Sequence, residues 1–179
     1  PRTLASELKA AATNHDLVLT SGGVSTGEAD HVREVVESIG KLVFWRVAIK
    51  PGRPVAMAVI GTSAFVGLPG NPVAAFVTFV RVVRPLLLRL SGAVAQPLLA
   101  LPVRAAFAYR KKKGRREYVR VALKRGSDGV VEAFKHPQEG AGVISSLTQT
   151  DGLVELSEDT IGIEPGETVD FLPYAILTG

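Results

Sequence analysis

Apolar positions in the first half of the chain come in two textures. Ala64 to Val66 predicts a strand, and Leu17-Val18-Leu19, inside the predicted strand Asp16 to Thr20, is a short apolar run without alternation. That pattern fits strands buried on both faces, as in a parallel sheet. Elsewhere the apolar residues recur at helical spacing. Leu4, Leu8 and Ala11-Ala12 form one side of Thr3 to Ala12, and Val32, Val35, Val36 and Ile39 form a stripe on Glu28 to Ile39, closed by Gly40. Leu42 to Ile49 and Val55 to Ile60 predict two more strands, the second followed by the turn Gly61-Thr62-Ser63. A helix is expected from Pro72 to about Leu90, with Pro85 kinking or breaking it. This alternation predicts an α/β fold, a doubly wound and mainly parallel sheet covered by helices. The chain opens on a helix and offers few strands before Gly92, so the first strand–helix units of such a sheet are expected to be missing.

The texture changes at Ser91 to Pro97, where periodic apolar residues give way to Gly, Ala, Gln and Pro. A domain boundary is placed here, giving domains 1–92 and 93–179. Beyond it, Val119 to Lys124, Val130 to Phe134, Val143 to Leu147, Gly152 to Leu156 and Thr168 to Leu172 read as short strands separated by glycine-rich turns. A small all-β barrel or sandwich is the natural reading.

Composition narrows the function. Hydrophobic residues make up 46% of the 179, enough for a packed core. With no cysteine, disulfides, thiolate metal sites and cysteine nucleophiles are excluded together. The longest apolar stretch, Val73 to Leu90, is interrupted by Arg81, Arg84, Pro85 and Arg89, so no membrane span is expected. A secretory signal pattern is absent, and the expected location is the cytoplasm. The chain starts at Pro1 without an initiator Met, which suggests a fragment or processed chain.

Charge is unevenly placed. Arg104 to Arg125 holds ten cations and one acid, Glu117, whereas Gly126 to Gly179 holds ten acids and one cation, Lys135. The basic section resembles a nucleic-acid patch around Tyr109 to Tyr118. A solvated hairpin tip between Ala105–Tyr109 and Glu117–Leu123 is the plainer reading, and the acidic section is able to balance its charge. Nucleic acid is therefore not expected as a partner.

Three rigid turns carry the chemistry. Ser21-Gly22-Gly23-Val24-Ser25-Thr26-Gly27 follows a predicted strand and precedes a predicted helix, and so does Gly67-Leu68-Pro69-Gly70-Asn71-Pro72. Backbone N–H groups gathered at such turns suit an anion. The first is not a P-loop, because it lacks the Gly-Lys-Ser/Thr ending. Alone, a Gly-Gly turn is more often a tight structural turn than a ligand cradle. Ser21 and Ser25 add hydroxyl donors, and Glu28 and Asp30 are able either to hold a divalent cation or to favour the following helix start. In the second turn Asn71 is positioned to cap the helix at Pro72. The third turn, Lys50-Pro51-Gly52-Arg53-Pro54, presents two cations on a proline-stiffened path. On one continuous strand Arg46 and Lys50 would project together, flanking Ala48. In the second domain Arg120, on a strand past the basic run, is a further candidate for anion capture. His15, His31 and His136 have no metal-ligand spacing and read as surface or capping residues.

Together, Asp16-Leu-Val-Leu-Thr-Ser-Gly-Gly-Val-Ser-Thr-Gly-Glu-Ala-Asp30, Ala48-Ile-Lys-Pro-Gly-Arg-Pro54 and Gly67-Leu-Pro-Gly-Asn-Pro-Val73 resemble the molybdopterin molybdenumtransferases, the MoeA and gephyrin E-domain family. The motifs stand in the family's order and spacing, and the resemblance covers essentially the whole chain. It implies the C-terminal part of a MogA-like molybdopterin-binding α/β domain over 1–92, followed by a C-terminal β-barrel domain over 93–179. It also implies insertion of molybdate into adenylylated molybdopterin with release of AMP, magnesium as cofactor, and a homodimer. A chain matching only the later part of the family is expected to be inactive alone. The resemblance implies catalytic roles for Asp30 and Lys50, with Asp30 also at the metal. It implies ligand contacts for Ser21, Gly22, Gly23, Ser25, Arg46, Arg53, Pro69, Gly70, Asn71, Pro72, Arg120 and Ser145. Ala74 and Ala141 stand where serine is frequent in the family. The competing expectation is a dimerisation scaffold of the gephyrin E-domain type, in which substitutions at Arg46 and Lys50 would spare assembly.

Overall fold

The computed structural model describes residues 2–23, 29–94 and 96–178. The chain forms two compact units, Pro1–Val47 with Gly52–Ala95, and Ala48–Pro51 with Gln96–Gly179. Four residues, 48–51, thus belong with the second unit although their neighbours on both sides belong to the first.

The first unit runs α1 (Arg2–Asn14), β1 (Leu17–Ser21), α2 (Ala29–Ile39), β2 (Lys41–Arg46), then β4 (Pro54–Ile60) and β5 (Ser63–Leu68), with β3 (Ile49–Lys50) lent to the second unit. Its sheet has the order β1-β5-β4-β2. β1 and β5 are parallel, whereas β4 is antiparallel to both β5 and β2. The antiparallel pairing follows from the short turn at Gly61, whose φ of 61° lets β4 fold straight back onto β5 with Ile60 opposite Ser63. Period-two alternation on β4 then feeds two cores. Ala56, Ala58 and Ile60 pack with Phe65, Leu8 and Ala12 of α1, and Val35 and Val36 of α2. Val55 on the opposite face packs with Val66, Leu68 and Val83. Each fully buried Val, Leu or Phe contributes roughly 1.5–3 kcal/mol.

The helix after β5 comprises α3 (Pro72–Thr78), a π-helical turn (Phe79–Val83) and α4 (Arg84–Leu90). The break expected at Pro85 is instead absorbed one turn earlier. Arg84 N–H reaches back to Phe79 O, so the wider turn accommodates a residue that lacks an N–H and crowds the preceding carbonyls.

The second unit contains β6 (Leu101–Ala105), β7 (Tyr109–Arg110), β8 (Arg116–Arg125), β9 (Val131–Lys135), α5 (Ser145–Thr148), β10 (Gly152–Leu156), β11 (Gly162–Ile163), β12 (Thr168–Pro173) and α6 (Tyr174–Thr178). Strands β10-β12-β6-β9-β8 close into a five-stranded barrel because β8 also pairs with β10. Val103, Ala105, Val119, Val121, Ala133, Val154 and Phe171 fill it. β8 is long enough to need two partners along one edge. β9 covers Val121 to Arg125, and β3 pairs in parallel with Arg116 and Glu117.

Two expectations are corrected here. Val143 to Leu147 is not a strand; it is a turn leading into α5, where Ser146 Oγ–H donates back to Val143 O. Nor is the basic run a hairpin tip, because Tyr109 and Arg110 pair with β11 rather than β8. The acidic section does meet the cations. Arg110 pairs with Glu164, Lys113 with Asp159, and Arg116 with Glu155 and Glu158, while the buried Lys111 donates to Ser157 O and Thr160 O.

Candidate functional site: a main-chain cradle and a charged side-chain cluster

In the first unit the sheet's topology brings the singled-out turns to one end. β1 and β5 run parallel, so Ser21 lies opposite Leu68 and both following turns leave from the same end of the sheet. β4 starts at that end and β2 finishes there, with Arg46 paired to Pro54. Ser21, Gly22, Gly23, Pro69, Gly70, Asn71, Pro72, Arg46 and Arg53 therefore lie along a single rim, at the carboxyl ends of the parallel strands where α/β sheets take ligands.

The two glycine turns touch. Gly22 N–H donates to Leu68 O at 3.0 Å, and a Cβ on Gly70 would stand 3.5 Å from Gly22 Cα. Gly22 and Gly23 adopt φ of 83° and 71°, and a Cβ on Gly23 would stand 2.9 Å from Val32 Cγ2, so side chains are strained here. Pro69 is buried under the turn, whereas Gly70 and Asn71 are exposed. Asn71 occupies the N-cap position of α3, and its carbonyl accepts Ala75 N–H at 2.8 Å, but its side chain makes no cap hydrogen bond. The cap expected from its side chain is thus supplied by backbone geometry and Pro72. Ser25 lies outside the described residues, as does the side chain of Asp30, whose backbone is in the first turn of α2.

Arg46 and Lys50 do not share a strand face. β2 ends at Arg46, and Val47 N–H closes onto Arg53 O at 3.1 Å, turning residues 48–51 out as a separate segment. Arg116 N–H donates to Ala48 O at 2.9 Å, and Lys50 pairs with Glu117 in register. Lys50 is thereby part of the second unit.

There it meets a buried carboxylate. Glu117 lies on the same face of β8 as the core residues Val119 and Val121, and its side chain is 1% exposed. Arg115 Nε–H donates to Oε1 at 2.6 Å, Tyr109 Oη–H donates to Oε2 at 2.7 Å, and Lys50 Nζ is 3.3 Å from Oε2. Burial pushes the Glu117 carboxyl up, but these donors and the Lys50 charge outweigh it and hold the group below the usual carboxylate range. Burial likewise pushes Lys50 down, yet its bond to Tyr109 and the Glu117 charge leave it above an ordinary lysine. Lys50 is therefore a standing positive charge at neutral pH rather than a proton acceptor. Tyr109 and Glu117 were not among the residues singled out from sequence. The available signal was Glu117 itself, the one acid among ten cations.

Arg120 is buried on β8. Its guanidinium donates to Gln138 O at 3.0 Å, Gly140 O at 3.1 Å and Ser146 Oγ at 2.6 Å. It therefore pins the loop ahead of α5. Ser145 is exposed at the start of α5, while its neighbour Ser146 is buried. His136, expected at the surface, is also buried, with Nε2 3.0 Å from Gln149 Oε1. Among the described residues no three His, Cys, Asp or Glu side chains converge as a metal site.

Comparison with known proteins matches this division. Residues 1–89 match the family described as "Probable molybdopterin binding domain", and residues 102–174 match "MoeA C-terminal region (domain IV)". A molybdopterin molybdenumtransferase from Haemophilus influenzae is 36% identical over 174 residues, covering 95% of this chain and 42% of that protein. One from Nostoc is 32% identical over 183 residues, covering 98% and 42%. A crystal structure of a molybdopterin biosynthesis MoeA protein from Pyrococcus horikoshii superposes with a TM-score of 0.75 at 28% identity, covering 98% of this chain and 41% of that one. The chain thus spans less than half the length of these relatives. Two consecutive domain matches, together with the shared fold, show that it belongs to the molybdopterin molybdenumtransferase (MoeA) family, of which it carries the region matched as a probable molybdopterin binding domain and the C-terminal region.

Proposed function

We propose that this chain serves molybdenum-cofactor biosynthesis as the part of a molybdopterin molybdenumtransferase that holds adenylylated molybdopterin while molybdate is inserted and AMP released. The observation that carries this reading is the meeting of the Gly22-Gly23 and Gly67-to-Pro72 turns at the carboxyl end of the parallel pair β1–β5. Two backbones approach there without intervening side chains. A phosphate-bearing ligand is suited to such a place because its oxygens can approach the main chain closely at the exposed Gly70 and Asn71. Arg46 and Arg53, exposed on the same rim, extend that preference. In the second unit Lys50 supplies a permanent cation for molybdate or phosphate oxygens.

Magnesium is the cation we assign to the reaction, with Asp30 as the candidate ligand. Among the described residues no three ligating side chains converge, and the Asp30 side chain lies outside them. The relatives are more than twice as long as this chain, and we propose that the 179 residues bind ligand without turning it over. A homodimer is the assembly we assign, read by light scattering on the same sample.

The test is Gly70→Asp, which places a carboxylate on the cradle where the added Cβ meets only ordinary contact. Titration calorimetry with adenylylated molybdopterin is expected to show binding weakened about tenfold or more, about 1.4 kcal/mol, with the melting temperature little changed. Unaltered affinity would overturn the cradle. AMP release by the unsupplemented chain would overturn the division of labour.

A further inference from the structure

We propose that Tyr109 is a positioning residue for Lys50, its hydroxyl standing between the ammonium and the buried Glu117 carboxylate so that the ammonium is held in place but left able to meet an anion. The inference rests on the reading above, in which Lys50 faces an oxyanion.

The geometry assigns each proton. Tyr109 Oη has one, and the 2.7 Å contact places it on Glu117 Oε2, because a carboxylate only accepts. The hydroxyl's lone pairs are then left for Lys50 Nζ, which donates to Oη at 3.1 Å. Glu117 Oε1 is taken by Arg115 at 2.6 Å. With both carboxylate oxygens already served by other donors, Lys50 stands 3.3 Å from Oε2, longer than the usual spacing of a charge-assisted contact. Its side chain is 44% exposed, so the lysine is not sealed in with the buried carboxylate.

The Tyr109 ring holds the hydroxyl in place. Lys135 Nζ lies 5.5 Å from the ring centroid, within cation–π range. Lys135 is itself tied to Glu139 at 2.5 Å. The ring is anchored against the barrel core. One tyrosine thus restrains a flexible four-carbon tail through a hydroxyl that is itself held in place. An exposed lysine beside a bare carboxylate would instead close onto it as a contact pair and lose its reach for a ligand.

Tyr109→Phe tests this because it keeps the ring, packed against the barrel core and within reach of Lys135, while removing only the hydroxyl. The Lys50 ammonium is followed in the 179-residue chain by 15N–1H NMR, its signal assigned with Lys50→Arg. Sodium molybdate is the calorimetric probe. The expected result is a moved Lys50 signal with altered hydrogen exchange, and molybdate affinity weakened about fivefold to tenfold. Melting is read alongside to show that the variant is folded. An unchanged Lys50 signal in a folded Tyr109→Phe variant overturns the proposal whether or not molybdate binds. A moved signal in a chain that binds no molybdate upholds the positioning role and sinks the oxyanion reading of Lys50 instead.

Discussion

Under the proposed function, the two units meet an anion in opposite ways. The first does it with main chain: two glycine turns in contact, a buried Pro69, and an N-cap whose side chain is unused. The second does it with side chains: Lys50, Tyr109, Glu117 and Arg115 in one hydrogen-bonded cluster, and Arg120 tied to three oxygen acceptors. A main-chain cradle depends on what is absent, since a Cβ at Gly23 would crowd Val32. A side-chain cluster depends on its members, because removing a donor leaves the buried Glu117 carboxylate with less compensation. Substitutions in the first unit should therefore weaken binding with little loss of stability, whereas those in the second should disturb stability as well.

The hardest strain on that contrast is Glu117→Ala. It strips the acceptor from Tyr109 and Arg115 and the counter-charge from Lys50, and because both cations are partly exposed a loss of about 1.5–3 kcal/mol is expected in urea denaturation. A loss under about 1 kcal/mol would show the cluster to be mere surface pairing. The same carboxylate predicts a pH dependence. Its folded pKa is depressed, so its stabilisation is present above the unfolded value and lost as pH falls through the folded one. Thermal melts of the native chain should fall on acidification below the ordinary glutamate range, and Glu117→Gln should flatten that fall. Asp128, held at about 2 by Arg104, is exposed and should leave the profile nearly unchanged.

Next in size is Ser146→Ala, which removes an acceptor from the buried Arg120 guanidinium. It should cost about 1–3 kcal/mol. Hydrogen exchange should rise in the loop around Gln138 to Gly140, since Gln138 O and Gly140 O hold the rest of that guanidinium. The smallest effect is expected from Asn71→Ala. A working side-chain cap is worth about 1 kcal/mol, but this one makes no such bond, so under about 0.5 kcal/mol should be lost. A full cap penalty there would break the contrast from the other side.

Much of this is legible in the sequence alone. Leu17-Val18-Leu19 followed by Gly-Gly, and Ala64 to Val66 followed by Gly-Leu-Pro-Gly-Asn-Pro, announced the two strand–turn pairs that meet at the cradle. The stripe at Val32, Val35, Val36 and Ile39 announced the buried face of α2. Residues 143–147 misled because β-branched Val143 and Ile144 resemble a strand, whereas the Arg120 bond to Ser146 favours a turn. Tyr109 misled because the basic run that follows it looked like a hairpin tip, while its strand partner lies more than fifty residues away on β11.

Short-range pattern settled wherever one answer satisfies a local rule: apolar runs became strands, striped segments became helices, and paired glycines and prolines became turns with a single backbone path. Long-range pairing settled the rest. No local preference sends residues 48–51 to the open edge of β8, or puts one glutamate on an inward face between a tyrosine and an arginine. Those placements depend on which edges remain unpaired and which charges must be neutralised once the barrel has closed, quantities that exist only when distant segments are already side by side.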